Sequence, residues 1–367
     1  MSPGVHTLEL ASFVFEAGVL LESPKSAPLQ VTVTSGIAAP AGDPTDAPAP
    51  DDPSPHPGED RRLGSAVVVE QLNDIADMGV DPEGRLLVGE RAGVVRLVDL
   101  AGQGVRTSLV LEDTLASGGP GMLLSLALDP DFERTRLLYV LKTAPRREGL
   151  TYQIVRYRGV AGIFGERAVL LETGRADPAE QSGTIRVGRD GKLYAAVVQA
   201  PIREDRGEMR GLVLRLNPDG TTPSDQRSGD PVYVAADREL RGFDWHPDTQ
   251  ELWLARDGGG APARLLSVGR DRGQSIAGLV DGDYSLNESG RVSALGFYGA
   301  GLLPSLQGTL LVVGQGGLES VRFDPQDASR VESIERLLDM PLRAMAVDAH
   351  GTLFVATSDA ILRATAQ

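Results

Sequence analysis

The chain has 367 residues, enough for one large domain or two ordinary ones, and with 41% hydrophobic but only 5% aromatic residues its core must be built mainly from Val, Leu, Ala and Ile. A formal net charge of −15 argues against nucleic acid and against an anionic membrane as partners, because both need a basic face. The lack of cysteine excludes disulfides, thiolate nucleophiles, Cys-based zinc sites and iron–sulfur clusters.

From the N-terminus, no apolar run reaches the length of a transmembrane segment. The opening MSPGVHTLELASFVFEAGVLLESPKS is no recognisable signal peptide, since it lacks a basic start and Glu9, Glu16 and Glu22 interrupt its apolar stretch. LQVTVTSG at 29–36 alternates like a strand but is too short to stand alone. Residues 37–60, IAAPAGDPTDAPAPDDPSPHPGED, hold scarcely a large apolar side chain and predict an extended, solvated linker. Residues 1–62 are thus expected to be an N-terminal extension and disordered linker, and 63–367 a single folded domain.

Beyond Leu63 the texture changes to short apolar runs between Gly, Pro, Asp and Asn, the pattern of strands and tight turns. One phrase recurs six times: DPEGRLLVGE from Asp81, DPDFERTRLLYV from Asp129, GRDGKLYAAV from Gly188, HPDTQELWLA from His246, SLQGTLLVVG from Ser305 and AHGTLFVATS from Ala349. Each copy reads strand, turn, strand, then a third strand. In most copies that third strand carries an apolar pair and an arginine, as in VVRLVD at 94–99, IVRYRG at 154–159 and VLRLNP at 213–218; the fourth keeps RLLSVG without the arginine. Copies about 43 to 59 residues apart with several strands each are propeller blades, which bury their faces only by stacking around an axis. The expected fold is all-β, a six-bladed β-propeller, and AVVVE at 66–70 is placed to complete the last blade and close the ring.

In such a blade the loop entering the first strand and the loop leaving the second share one face, opposite the first turn. On that face fall Asn73, Asp74, Gly118–Gly121, Glu180, Gln181, Arg238, Arg241, Arg291 and Arg343, with Glu90, Arg91, Arg256, Asp257, Ser358 and Asp359 after second strands. Arginines gathered round one axis can clamp a polycarboxylate or phosphate, because guanidinium forks pair bidentately with such anions. The alternative is mutual neutralisation with Asp and Glu across the channel mouth, and both stay open. Of four histidines, His6 and His56 lie in the extension and linker, while His246 and His350 lie in first turns at the repeat position of Glu83 and Asp190, so no multi-histidine metal site is expected. DGDYSLNE at 281–288 has oxygens at calcium-like spacing but not the EF-hand glycine, and reads as a polar loop. No Walker loop, HExxH or nucleophile elbow occurs.

DIADMGVDPEGRLLVGERAGVVRLVD, GMLLSLALDPDFERTRLLYVLKT, GRDGKLYAA with GLVLRLNPDGTTP, DWHPDTQELWLARDG and PLRAMAVDAHGTLFVATSDAILR, in this order, resemble the glucose/sorbosone dehydrogenase family over nearly all of 63–367. The resemblance implies a six-bladed quinoprotein, periplasmic or secreted, that oxidises a sugar at the anomeric carbon with pyrroloquinoline quinone (PQQ) as hydride acceptor and calcium beside it. Carried over by residue, it implies cofactor contacts from Glu90, Arg91, Gln181 and Arg343, and catalytic roles for Arg238 and Glu180. The departures are specific. Glu180 stands where the family has its histidine base, Glu239 where its RNP motif has asparagine, and RDGGGAPAR at 256–264 and QSIAGLV at 274–280 replace an acidic, glycine-rich stretch and an aromatic one. Two function classes therefore remain: a dehydrogenase with an altered site, and a propeller that kept the scaffold, lost the redox site and binds a small anion, a sugar or a partner protein on the same face.

Overall fold

The computed structural model describes residues 4–8, 13–16, 19–22, 29–33 and 62–366, less 103, 148, 179–180, 200–209, 227–228, 237, 259–260, 269–285 and 287–290. The chain divides into two compact units, Met1–Glu59 and Asp60–Gln367. In the first, β1 (Gly4–Leu8) pairs antiparallel with β4 (Leu29–Val33), and β2 (Phe13–Glu16) with β3 (Val19–Glu22). The alternating stretch near residue 30 thus has a partner strand in its own unit. The linker expected at 37–60 lies outside the described residues.

The second unit opens with β5 (Leu63–Val69), whose partner comes last. Blade 1 is β6 (Ile75–Val80), β7 (Leu86–Glu90), β8 (Val94–Asp99) and β9 (Gly104–Val110); blade 2 is β10 (Leu123–Leu128), β11 (Leu137–Arg146), β12 (Gly149–Val160) and β13 (Ile163–Ala176). Blade 3 is β14 (Gly183–Val187), β15 (Leu193–Gln199), β16 (Arg210–Leu216) and β17 (Val232–Ala235). Blade 4 shows three strands among the described residues, β18 (Leu240–Trp245), β19 (Leu252–Gly258) and β20 (Ala261–Val268). Blade 5 is β21 (Val292–Phe297), β22 (Leu310–Gly314), β23 (Gly317–Asp324) and β24 (Asp327–Leu338). Blade 6 is β25 (Ala344–Val347), β26 (Leu353–Ala356), β27 (Ile361–Ala366) and, as its outermost strand, β5. The first strand of each blade touches that of the next, β25 returning to β6, so the six sheets close into the expected propeller.

The packing explains why these strands read as continuous apolar runs rather than alternations. All five residues of β7 are buried, because both faces of the sheet are covered. Leu86 and Val88 face blade 6 beside Phe354, whereas Leu87 faces blade 2 beside Leu138 and Val140. In blade 3, Leu193, Ala195 and Val197 face blade 2, and Tyr194 and Ala196 face blade 4. The core is therefore six wedges, one in each gap between blades, and each Leu or Val fully buried there contributes roughly 1.5–3 kcal/mol relative to exposure. Among the described residues no helix is long and apolar enough to cross a membrane.

Candidate functional site

Four of the six innermost strands carry a register shift near the same end, between Ile75 and Asp77, Leu123 and Ser125, Arg241 and Phe243, and Val292 and Ala294. A bulge leaves one residue unpaired and re-aims its side chain. The residues skipped are Ala76, Leu124, Gly242 and Ser293, and all four line one cavity of about 300 Å³ at that end of the channel. Gly242 sits at φ 64°, a left-handed conformation that glycine adopts without penalty, and a side chain there would press on Leu295. All six blades contribute to the cavity wall, blade 6 through Arg343.

Its chief chemical feature is cationic. Arg91, Arg241, Arg291 and Arg343 line it, brought from blades 1, 4, 5 and 6. Arg91 Nη1 donates to the backbone oxygen of Gln181 at 3.1 Å, and its Nε lies 4.0 Å from the half-exposed carboxylate of Asp74. Burial pulls the Arg91 pKa below its ordinary value; Asp74 opposes this, and the neighbouring Arg343 and Arg241 add to it. Arg241 Nη2 donates to Glu239 at 2.6 Å, and the same carboxylate accepts from Ser182 Oγ. Gln181 is anchored twice by its amide, accepting from Thr143 Oγ1 and donating to the Pro178 oxygen at 3.2 Å.

One or two residues further along the same strands lies a polar floor. The buried Asp77 carboxylate accepts from Ser125 Oγ, from the amides of Met78 and Leu126, and from Arg186 Nη1 at 2.9 Å. Burial works against the charge on Arg186, but the Asp77 carboxylate outweighs it and holds the guanidinium above its usual pKa. From blade 4, Asp244 accepts from the amides of Trp245 and Phe297 at 2.8 and 2.7 Å. Burial pushes its carboxyl pKa up, while those two amides and Arg186 hold it down in part.

The cavity therefore gathers Arg91, Gln181, Arg241, Arg291 and Arg343 of the face read from sequence. Glu90 does not line it. Its buried carboxylate accepts instead from Arg96 Nε and the Asn73 amide, both at 3.1 Å, and braces blade 1. Arg238 is exposed outside the cavity wall, its backbone oxygen accepting from the Gly211 amide at 3.0 Å. Glu180 and most of the 281–288 loop lie outside the described residues. His246 is a correction: it stands at the position of Asp81, not Glu83. It is buried, and its Nδ1 accepts from the amides of Asp248 and Thr249 as Asp81 Oδ1 accepts from those of Glu83 and Arg85. His350 is exposed in its turn, as expected. Among the described residues no group of three or more His, Cys, Asp or Glu could hold a metal ion. The floor was missed, although a signal existed: Asp77, Arg186 and Asp244 are charged residues inside strands that are otherwise apolar.

The model of the Glucose / Sorbosone dehydrogenase family matches residues 72–261. An uncharacterized Synechocystis protein is 25% identical over 257 residues, and the chain spans about 61% of that relative's length. The aldose sugar dehydrogenase YliI of Escherichia coli is 23% identical over 263 residues, 62% of this chain and 71% of that protein. The PQQ-bound form of an aldose sugar dehydrogenase from Streptomyces coelicolor shares the fold, with a TM-score of 0.66, 20% identity and coverage of 84% of this chain and 99% of that one. With a match over more than half its length, all six blades in place and the cavity at the end of the channel, the chain belongs to the glucose/sorbosone dehydrogenase family.

Proposed function

We propose that the cavity takes PQQ by its carboxylates and that the protein is a sugar dehydrogenase-like quinoprotein acting at the anomeric carbon of a sugar. The observation that carries this reading is the convergence of Arg91, Arg241, Arg291 and Arg343 on one cavity, with the charge of Arg91 disfavoured first by burial and then by its cationic neighbours. Guanidinium groups crowded in a partly buried site gain from a bound anion, and their forks match carboxylate geometry. The residues present fit the cofactor's carboxylates in charge. Apolar surface for its rings comes from Ala76, Met122, Leu124 and Leu240, and none of the described residues that line the cavity is aromatic. Calcium, which the resemblance also implies, is assigned no ligand.

When bound, the quinone supplies the two-electron acceptor. Arg91 and Arg343 would hold its carboxylates, Arg91 being braced by the Gln181 carbonyl. Glu180, next in the chain to the anchored Gln181, takes the proton of the sugar hydroxyl. A carboxylate of ordinary pKa is a weak base at neutral pH, so this role requires burial to raise it. Arg238, exposed and outside the cavity wall, would orient the sugar's hydroxyls. The same reading carries a periplasmic or secreted location. One observation favours a second reading, an anion-, sugar- or protein-binding propeller without catalysis: no histidine is among the described residues that line the cavity.

Titration of the protein with PQQ, with and without calcium, followed by quinone absorbance, tests the site. Saturable binding at micromolar or lower concentration that Arg343→Ala weakens at least tenfold supports it; no binding at high concentration of both refutes it. Aldose oxidation with an artificial acceptor that Glu180→Gln abolishes then favours the dehydrogenase over the binding propeller.

A further inference from the structure

The four arginines of the cavity are not equivalent. Arg241 is 13% exposed and donates at 2.6 Å to Glu239, itself 6% exposed. The other oxygen of Glu239 accepts from Ser182 Oγ, so this carboxylate spans the seam between blades 3 and 4 with both oxygens held by cavity-lining side chains. Arg91 has a much looser counterion in Asp74, 4.0 Å away with a side chain 57% exposed. Arg343 is exposed and makes no ion pair among the described residues. A short charge-assisted bond inside the protein is worth far more than a long contact in water.

We infer that Glu239 is an internal competitor for the cavity's ligand, holding Arg241 in reserve and so setting how many negative charges the site selects. This rests on the anion-binding reading above. A ligand carboxylate meets Arg91 and Arg343 with little to displace, whereas engaging Arg241 means breaking a buried bond that Ser182 also braces. Arg241 then contributes its field but not its fork, and a ligand carboxylate placed beside it gains little. Neutralising Glu239 removes this competing carboxylate from Arg241 and shifts the preference toward more highly charged anions.

Isothermal titration of the full chain with succinate and with citrate tests this in Glu239→Gln, Arg241→Ala, Arg343→Ala and the Glu239→Gln/Arg241→Ala pair. Glu239→Gln is expected to tighten citrate about tenfold and succinate by less, the loss of one competing carboxylate being of that order. Arg241→Ala alone is expected to weaken citrate less than about threefold, well below the effect of Arg343→Ala, yet to erase the whole gain of Glu239→Gln. Citrate binding that is unchanged or weaker in Glu239→Gln overturns the inference, as does an Arg241→Ala loss equal to that of Arg343→Ala. If Glu239→Gln does not fold, that comparison of the two arginines decides alone. Wild-type protein that binds neither citrate, succinate nor PQQ refutes the anion site and this inference with it. Wild-type binding with no shift in charge preference refutes only the role of Glu239.

Discussion

Replacing Asp77 by alanine strips the channel floor of the acceptor on which four groups depend: Arg186, Ser125 Oγ and the amides of Met78 and Leu126. Breaking a buried ion pair from one side costs about 3–5 kcal/mol. Arg186 keeps a quarter of its side chain accessible, against 5% for Asp77, which favours the lower end of that range. The orphaned amides and hydroxyl add about 1 kcal/mol or more. Asp77→Ala is therefore expected to cost about 4–5 kcal/mol. Arg186→Met costs less, about 2–3 kcal/mol, because Asp77 retains three neutral donors. The double variant should fall short of the sum by about 2 kcal/mol, the coupling of the pair. Urea denaturation followed by tryptophan fluorescence is well suited, since both tryptophans, Trp245 and Trp253, lie in blade 4 beside Asp244. Additive costs, or an Arg186→Met variant less stable than Asp77→Ala, would refute this account of the floor.

Asp244 gives a pH signature. Its carboxyl pKa is raised by burial, so the folded chain holds that proton more tightly than the unfolded chain, whose aspartates titrate near about 3.9. Its contribution to stability is full below that value and is lost as pH rises through the raised pKa, so the Asp244→Asn variant should gain on wild type across that window in denaturation run at several pH values. A Cβ at Gly121 would lie 2.2 Å from the Thr143 oxygen and 2.6 Å from the Asp113 oxygen, both backbone atoms. Gly121→Ala is expected to lose about 1–3 kcal/mol in the same assay and to weaken anion binding, because Thr143 anchors Gln181.

Much of the fold was legible because a blade must be covered on both sides, and this imprints every second strand with the same apolar phrase. The closing strand at 66–70 was legible for a related reason, an apolar run with no turn partner of its own. The cavity was legible as a list of face residues but not as a shape. Which residue of a first strand is skipped depends on its register with the second, and nothing in IADMGV or VSALGF announces that Ala76 or Ser293 is the one turned inward. Glu90 shows the opposite failure. It lies on the expected loop, yet a hairpin neighbour, Arg96, claims it from within its own blade. Arg186 and Asp77 meet across 109 positions of sequence, a separation at which only the closed ring creates the contact.

The pairing of β27 with β5 bears on how the protein is made. Leu63–Val69 leaves the ribosome among the first residues of the propeller, and its partner Ile361–Ala366 among the last. Until β27 has been made the leading strand has an open edge and no mate, so the ring cannot close before almost the whole propeller has been synthesised. Until then blade 1 and the unfinished blade 6 each show water one side of the wedge that joins them, Leu86 and Val88 on one and Phe354 on the other, apolar surface of the kind that makes partly folded chains prone to aggregate. A ribosome that stops at Thr357 would yield a chain with five blades, β25 and β26 and every cavity-lining residue, but with the seam unsewn.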